Sequence, residues 1–145
     1  MAEEDCPVIF PIHPRTKAAI EQFGFQDMLQ NQRLKIIEPL GFWDTQALIR
    51  NAKMVITDSG GVVKEAYFHQ VRCIIPDTQI EWIEAVKEGW TYLESADANK
   101  IIKRVHHFPT PSFIPSGVQS HFLGNGTAAN KIVEHIFQFL NKKYV

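Results

Sequence analysis

Residues 54–68 read MVITDSGGVVKEAYF: an apolar run from Met54 to Thr57, a turn of Asp58, Ser59, Gly60 and Gly61, and a helical pattern after Gly61. A strand, a tight turn and a helix in that order make an anion-binding device. The first N–H groups of a helix have no acceptor within it and carry the positive end of its dipole, so a phosphate over Gly60 and Gly61 needs no cationic side chain. A purely structural alternative is a tight strand-to-helix turn with Ser59 as N-cap. The string Asp-Ser-Gly-Gly also surrounds the nucleophile of trypsin-like proteases. Those enzymes are β-barrels, however, and the flanking strand and helix here do not fit one. Nor is the string the Gly-x-Ser-x-Gly elbow of α/β-hydrolases.

Working outward, four further β-rich runs are spaced along the chain: Pro7 to Pro11, Leu34 to Ile37, Val71 to Ile75 and Trp90 to Leu93. Helical patterns lie between them. One begins at Thr16, a second is capped by Asp44, a fourth runs from Trp82 to a stop at Gly89, and a fifth holds Ile101, Ile102 and Val105. Strands that are apolar throughout belong to a sheet covered on both faces, and strands separated by single helices are normally parallel. The pattern predicts one α/β domain over residues 1–145, Rossmann-like and doubly wound, with a mainly parallel sheet of about five strands. A long irregular segment is expected from His107 to Gly126. The chain then closes in an amphipathic helix, because Ala129, Ile132, Val133, Ile136, Phe137 and Leu140 follow the helical period and Thr127 stands at its N-cap.

At 145 residues the chain buries about two-thirds of its unfolded surface and sustains its own core. A hydrophobic fraction of 45% and a charged fraction of 21% are those of a globular protein, and no apolar run reaches the length of a membrane span. The acidic start MAEED is unlike a signal peptide, and Cys6 and Cys73 are too few for a disulfide scaffold, so a cytoplasmic setting is expected. Fifteen basic against sixteen acidic residues give a net charge of −1, with no bulk attraction for nucleic acid or an anionic membrane. Phosphate recognition must be local.

Ligands on open parallel sheets bind beyond the carboxyl ends of the strands. His13 and Arg15 follow the first strand and Ser59 the third, so the three are expected to converge on one crevice. His13 and Arg15 can each reach a phosphate oxygen, Arg15 through two bonds; the structural alternative for His13 is an exposed or core-edge side chain. Glu65 lies one turn into the helix on the face above the phosphate position. Beside a phosphate it fits only by accepting hydroxyl hydrogen bonds, which a ribose next to a diphosphate would supply; the alternative is a solvated charge paired loosely with Lys64 or Lys87. The histidines show no metal-ligand spacing, and the adjacent His106 and His107 read as a favourable charge at a helix end. Trp43, Trp82 and Trp90 could stack on a base, although an aromatic beside an apolar helix is usually core. No pair of carboxylates is placed for general acid and base work.

Together, PVIFPIHPRT, EPLGFWDTQALIRNAKMVITDSGGVVKEAYF, VRCIIPDTQIEWIEAVKEGW and GNGTAANKIVEHI resemble the C-terminal half of the non-hydrolysing UDP-N-acetylglucosamine 2-epimerases, in order and spacing. That resemblance implies one of two Rossmann-like halves facing each other across a cleft, as in GT-B glycosyltransferases, with the UDP held by this half. It implies that His13, Arg15 and the Ser59, Gly60, Gly61 turn contact the diphosphate and ribose, with Glu65 on the ribose hydroxyls. The family reaction eliminates UDP and re-adds it with inversion at C2 of the sugar, without a nicotinamide cofactor. Departures are Asp77 where relatives carry Arg, Ile80 where they carry Thr, and Thr45 where many carry Phe. The family's acid and base carboxylates lie mostly in an N-terminal half that Met1 to Cys6 leaves no room for. The expectation is a UDP-binding domain that is catalytically incomplete alone and needs no cofactor or metal. Its partners would be UDP or a UDP-sugar, and either an N-terminal half domain or a second copy. A degenerate protein-interaction module and the nucleotide-binding half of a GT-B glycosyltransferase are the alternatives.

Overall fold

The computed structural model describes residues 6–108, 124 and 126–143. They form two compact units, Met1–Asn51 and Ala52–Val145. In the first, β1 (Val8–Pro11) pairs in parallel with β2 (Leu34–Ile37), Val8 opposite Leu34. Helix α1 (Pro14–Gln22) connects them, followed by a 3-10 turn at Gln26–Gln30, and α2 (Phe42–Arg50) follows β2. Helix α1 starts two residues before the expected Thr16 because Pro14 occupies its first turn with φ already set, and His13 caps it. Gly24, at φ +73, turns the chain away beyond its end. The N-cap of α2 is Gly41 rather than Asp44, which lies instead in the first turn, where its charge matches the dipole.

The second unit contains β3 (Met54–Ile56), α3 (Gly60–Phe68), β4 (Arg72–Ile75), α4 (Ile83–Lys87), β5 (Thr91–Leu93), α5 (Ala98–His106) and α6 (Ala128–Lys143). Its three strands are parallel in the order β3, β4, β5. The α/β alternation and the all-parallel pairing are those the sequence predicts, and every strand lies within a residue of its expected bounds.

The five strands are distributed over two sheets rather than one. Proline reduces the donors on one edge of β1. In a parallel strand alternate residues donate to opposite sides. The Val8 and Ile12 N–H groups donate to the Arg33 and Ile37 carbonyls. That leaves Pro7, Ile9 and Pro11 for the other edge, and two of the three have no N–H.

Burial is concentrated in the second unit. Cys73, Ile74 and Ile75 of β4 are buried, as are Val63, Ala66 and Tyr67 on the face of α3 that packs against that strand. Tyr67 also joins Ala85 and Trp90 in one cluster, and its hydroxyl donates to the Glu88 carboxylate. The expectation of strands covered on both faces holds for β4. It fails for β1 and β2, where Val8, Ile9 and Ile36 are exposed. Gly89, at φ +80, ends α4 where the sequence places the stop. Asp97 caps α5 through the Asn99 and Lys100 N–H groups. Beyond that helix Phe108 is buried edge-on to Tyr92, whose ring lies under the Arg104 guanidinium, itself ion-paired with Glu94.

Helix α6 begins directly after Thr127, whose carbonyl accepts from the Lys131 N–H, and Ile132, Val133, Ile136, Phe137 and Leu140 on it are exposed. The irregular segment expected before it lies almost wholly outside the described residues. Among the described residues no helix is long and apolar enough to cross a membrane.

Candidate functional site

The site is built by the two neighbouring strands β3 and β4, whose carboxyl ends lie side by side because the strands are parallel and paired at Ile56 with Ile74. Beyond β3 the chain turns through Asp58 and Ser59 into α3. Beyond β4 it runs through Pro76 to Trp82 into α4. The two loops therefore share one sheet edge, the edge at which ligands of parallel sheets bind.

Ser59 is the N-cap of α3 by backbone conformation, but its side chain makes no capping hydrogen bond. Its own N–H donates to the Thr57 hydroxyl at 3.1 Å, and its carbonyl accepts from the Val63 N–H at 3.0 Å. The structural reading of Ser59 as a side-chain cap is thus not realised. The N–H groups of the first helical residues, Gly60, Gly61 and Val62, stay without an acceptor in the helix. Nine residues of aligned peptide dipoles back them.

The two glycines differ. A Cβ on Gly61 would meet only the Ser59 Oγ, at 3.8 Å, so the space before it is open. One on Gly60 would lie 3.1 Å from the Trp82 Nε1 and 3.7 Å from its Cδ1. Gly60 is therefore glycine because the indole lies against it. Gly61 is the position free for close approach by a ligand.

A cavity of about 350 Å³ opens at this edge, lined among others by Asp58, Gly60, Asp77, Gln79, Glu81 and Trp82. Trp82 is half-buried and the Lys64 ammonium lies over its ring, 4.2 Å from the centroid. Its indole nitrogen is buried, with no hydrogen-bond partner among the described residues. Asp77 is held by its own loop, since its Oδ1 accepts from the Thr78 and Gln79 N–H groups. The Glu65 carboxylate, on a half-buried residue one turn along α3, makes no hydrogen bond or ion pair among the described residues; Lys64, one of its expected partners, is engaged with Trp82 instead.

Ser59, Gly60, Gly61 and Glu65 thus come together in the second unit. His13 and Arg15 belong to the first. The His13 Nδ1 accepts from the Arg15 N–H at 3.2 Å, so it caps α1. Both side chains are exposed. Of the three tryptophans only Trp90 is core, whereas Trp43 is 80% exposed. The sequence reading offered Trp82 as a ring that could stack on a base or join the core, and did not place it against the Gly60 turn. The signal for it was topological: a residue following β4 shares an edge with the turn following the adjacent β3. Among the described residues no group of histidine, cysteine and carboxylate side chains could hold a metal ion.

The family model described as UDP-N-acetylglucosamine 2-epimerase matches residues 1–137. A UDP-N-acetylglucosamine 2-epimerase homolog of Methanococcus maripaludis is 38% identical over 133 residues, 91% of this chain and 36% of that protein. A UDP-2,3-diacetamido-2,3-dideoxy-D-glucuronate 2-epimerase of Pseudomonas aeruginosa is 32% identical over 90% of this chain and 34% of its own length. Among solved structures, the UDP-GlcNAc 2-epimerase of Methanocaldococcus jannaschii in complex with UDP-GlcNAc and UDP superposes with a TM-score of 0.78 at 34% identity, covering 91% of this chain and 36% of that one. The chain spans about a third of the length of the curated relatives it matches, with 36% of the M. maripaludis protein covered.

Proposed function

The chain belongs to the UDP-N-acetylglucosamine 2-epimerase family, and from that premise we propose that it is a UDP-binding domain, catalytically incomplete alone, of an enzyme that epimerises a UDP-sugar. The observation that carries the proposal is the uncapped start of α3: free N–H groups at Gly60 to Val62, an open approach at Gly61, and an unused Ser59 hydroxyl, all beside the cavity. These groups bind an anion without a cationic side chain. The Glu65 carboxylate, without a partner among the described residues, supplies the acceptor for ribose hydroxyls. His13 and Arg15 enter as further diphosphate contacts on the strength of the resemblance. A GT-B arrangement in the cytoplasm completes the reading.

The test is calorimetric titration of the 145-residue chain with UDP. Weak binding is expected, lowered by Ser59→Ala, Glu65→Gln, His13→Ala and Arg15→Ala, with no epimerisation of a UDP-sugar by the chain alone. No heat at millimolar UDP would sink the proposal.

One observation favours a protein partner in addition. The apolar face of α6 is exposed, and a face of that kind is covered by protein in a working assembly. Mixing the chain with a separately produced N-terminal half of a relative and measuring mass by light scattering tests this. A heterodimer is expected; a homodimer of the chain would assign the face to a second copy, and a monomer in both samples would remove the argument.

A further inference from the structure

We infer that Asp77 sets which sugars the site accepts: with Asp58 and Glu81 it makes the cavity beside the α3 turn a compartment that takes an uncharged sugar and turns away one bearing a carboxylate. The inference rests on the UDP-binding reading above and deepens it by naming the class of sugar.

The direction of the ligand follows from where residues of α3 stand. Glu65, assigned to the ribose, lies one turn along the helix and is not among the residues lining the cavity. Asp58 and Gly60, at the helix start, do line it. With the diphosphate on the amides of Gly60 to Val62, the ribose lies along the helix and the sugar enters the cavity. Its volume of about 350 Å³ is that of a small-ligand pocket.

The lining has two characters. Val63 and Ile75 are buried and give an apolar floor for the C–H face of a sugar ring. Asp58, Asp77 and Glu81 offer carboxylate oxygens, which accept hydrogen bonds from hydroxyl groups, and Gln79 adds an amide. Among the described residues lining the cavity there is no lysine, arginine or histidine. A sugar carboxylate brings only further acceptors and a like charge into this set.

Asp77 decides because it cannot move aside. Its Oδ1 accepts from the Thr78 and Gln79 N–H groups, and its carbonyl accepts from the Ser95 N–H at 3.2 Å, which ties the loop after β4 to the residues following β5. The Asp58 and Glu81 carboxylates make no hydrogen bond or ion pair among the described residues, so they can turn into water. All three residues are exposed, and salt screens them. The same charges weigh on the diphosphate of every ligand, so the discrimination is read as a ratio between two UDP-sugars.

UDP-glucose and UDP-glucuronate differ only at C6 of the sugar, a hydroxymethyl group in one and a carboxylate in the other. Calorimetric titration of the 145-residue chain at low salt should give UDP-glucuronate a Kd about tenfold or more above that of UDP-glucose, as three like charges acting through water imply. The ratio should narrow in about 1 M sodium chloride, where the screening length falls to about 3 Å. Asp77→Asn keeps the acceptor for Thr78 and Gln79 and removes the charge; it should cut the low-salt ratio about threefold or more with the melting temperature held. Equal affinity for the two sugars, a preference for the uronate, a ratio that salt does not move, or one that a folded Asp77→Asn chain leaves as in the parent overturns the inference, and with UDP still bound the nucleotide reading stands. Failure of the intact chain to bind UDP overturns both.

Discussion

Gly61→Ala separates a glycine kept for folding from a glycine kept for a ligand. The added methyl would meet the Ser59 Oγ at 3.8 Å, an ordinary contact, and Gly61 is not in the left-handed region, so the protein accommodates alanine without strain. Replacing glycine in a helix by alanine lowers the entropy of the unfolded chain and gains roughly 0.5–1 kcal/mol, somewhat less in the first turn. For a domain of this size, 1 kcal/mol moves the melting temperature by about 2–4 °C. The variant should therefore melt at or slightly above the parent temperature. The same methyl stands where a phosphate oxygen would approach the amides, and affinity for UDP should fall about tenfold, or about 1.4 kcal/mol. Gly60→Ala is the contrast: its Cβ would press on the Trp82 indole at 3.1 Å, so stability and binding fall together. Differential scanning fluorimetry and calorimetry on the same samples read both quantities. A Gly61→Ala chain that binds UDP as the parent does would make the turn structural, and one that melts well below it would refute the geometry.

Tyr67→Phe deletes the hydroxyl that donates to Glu88 and should cost about 1–2 kcal/mol in urea denaturation, because a half-buried carboxylate loses its donor. Asp97→Ala removes the cap that accepts the Asn99 and Lys100 amides at 2.9 and 3.2 Å and should cost about 1 kcal/mol, with faster amide exchange confined to the start of α5. Burial pushes the Cys73 thiol up from 9.0 to about 12. The folded chain thus holds that proton over a range where the unfolded chain has released it, so the contribution is intact below pH 9 and is lost as pH rises toward 12. Cys73→Ala should flatten the alkaline fall in stability relative to the parent, and at pH 8 a thiol reagent should modify the exposed Cys6 at once while Cys73 reacts only on unfolding.

Much of the fold was legible because local signals agree with it. The runs at Leu34, Met54 and Val71 are rich in branched apolar residues and lie beside turn residues, and each became a strand within a residue of its expected bounds. Helix starts were less legible. Asp44 looked like a cap, but capping depends on which residue leaves the helical conformation, and Gly41 does so first. Which strands share a sheet is set by pairing between residues far apart in the chain, and the local pattern does not carry it. In the site, Ser59, Gly60, Gly61 and Glu65 could be found from spacing because they lie on one turn and the helix it starts. Trp82 is twenty-two residues along the chain from Gly60 and joins it only through the pairing of β3 with β4, an adjacency in space that periodicity does not carry.

The central claim is that UDP sits on the α3 turn, and amide mapping tests it most directly. On adding UDP to the ¹⁵N-labelled chain, the ¹H–¹⁵N signals of Ser59, Gly60, Gly61 and Val62 should shift together and saturably, with Glu65 and His13 following and α6 unmoved. Silence of those four amides at millimolar UDP, or shifts that spare them and gather elsewhere, would contradict it.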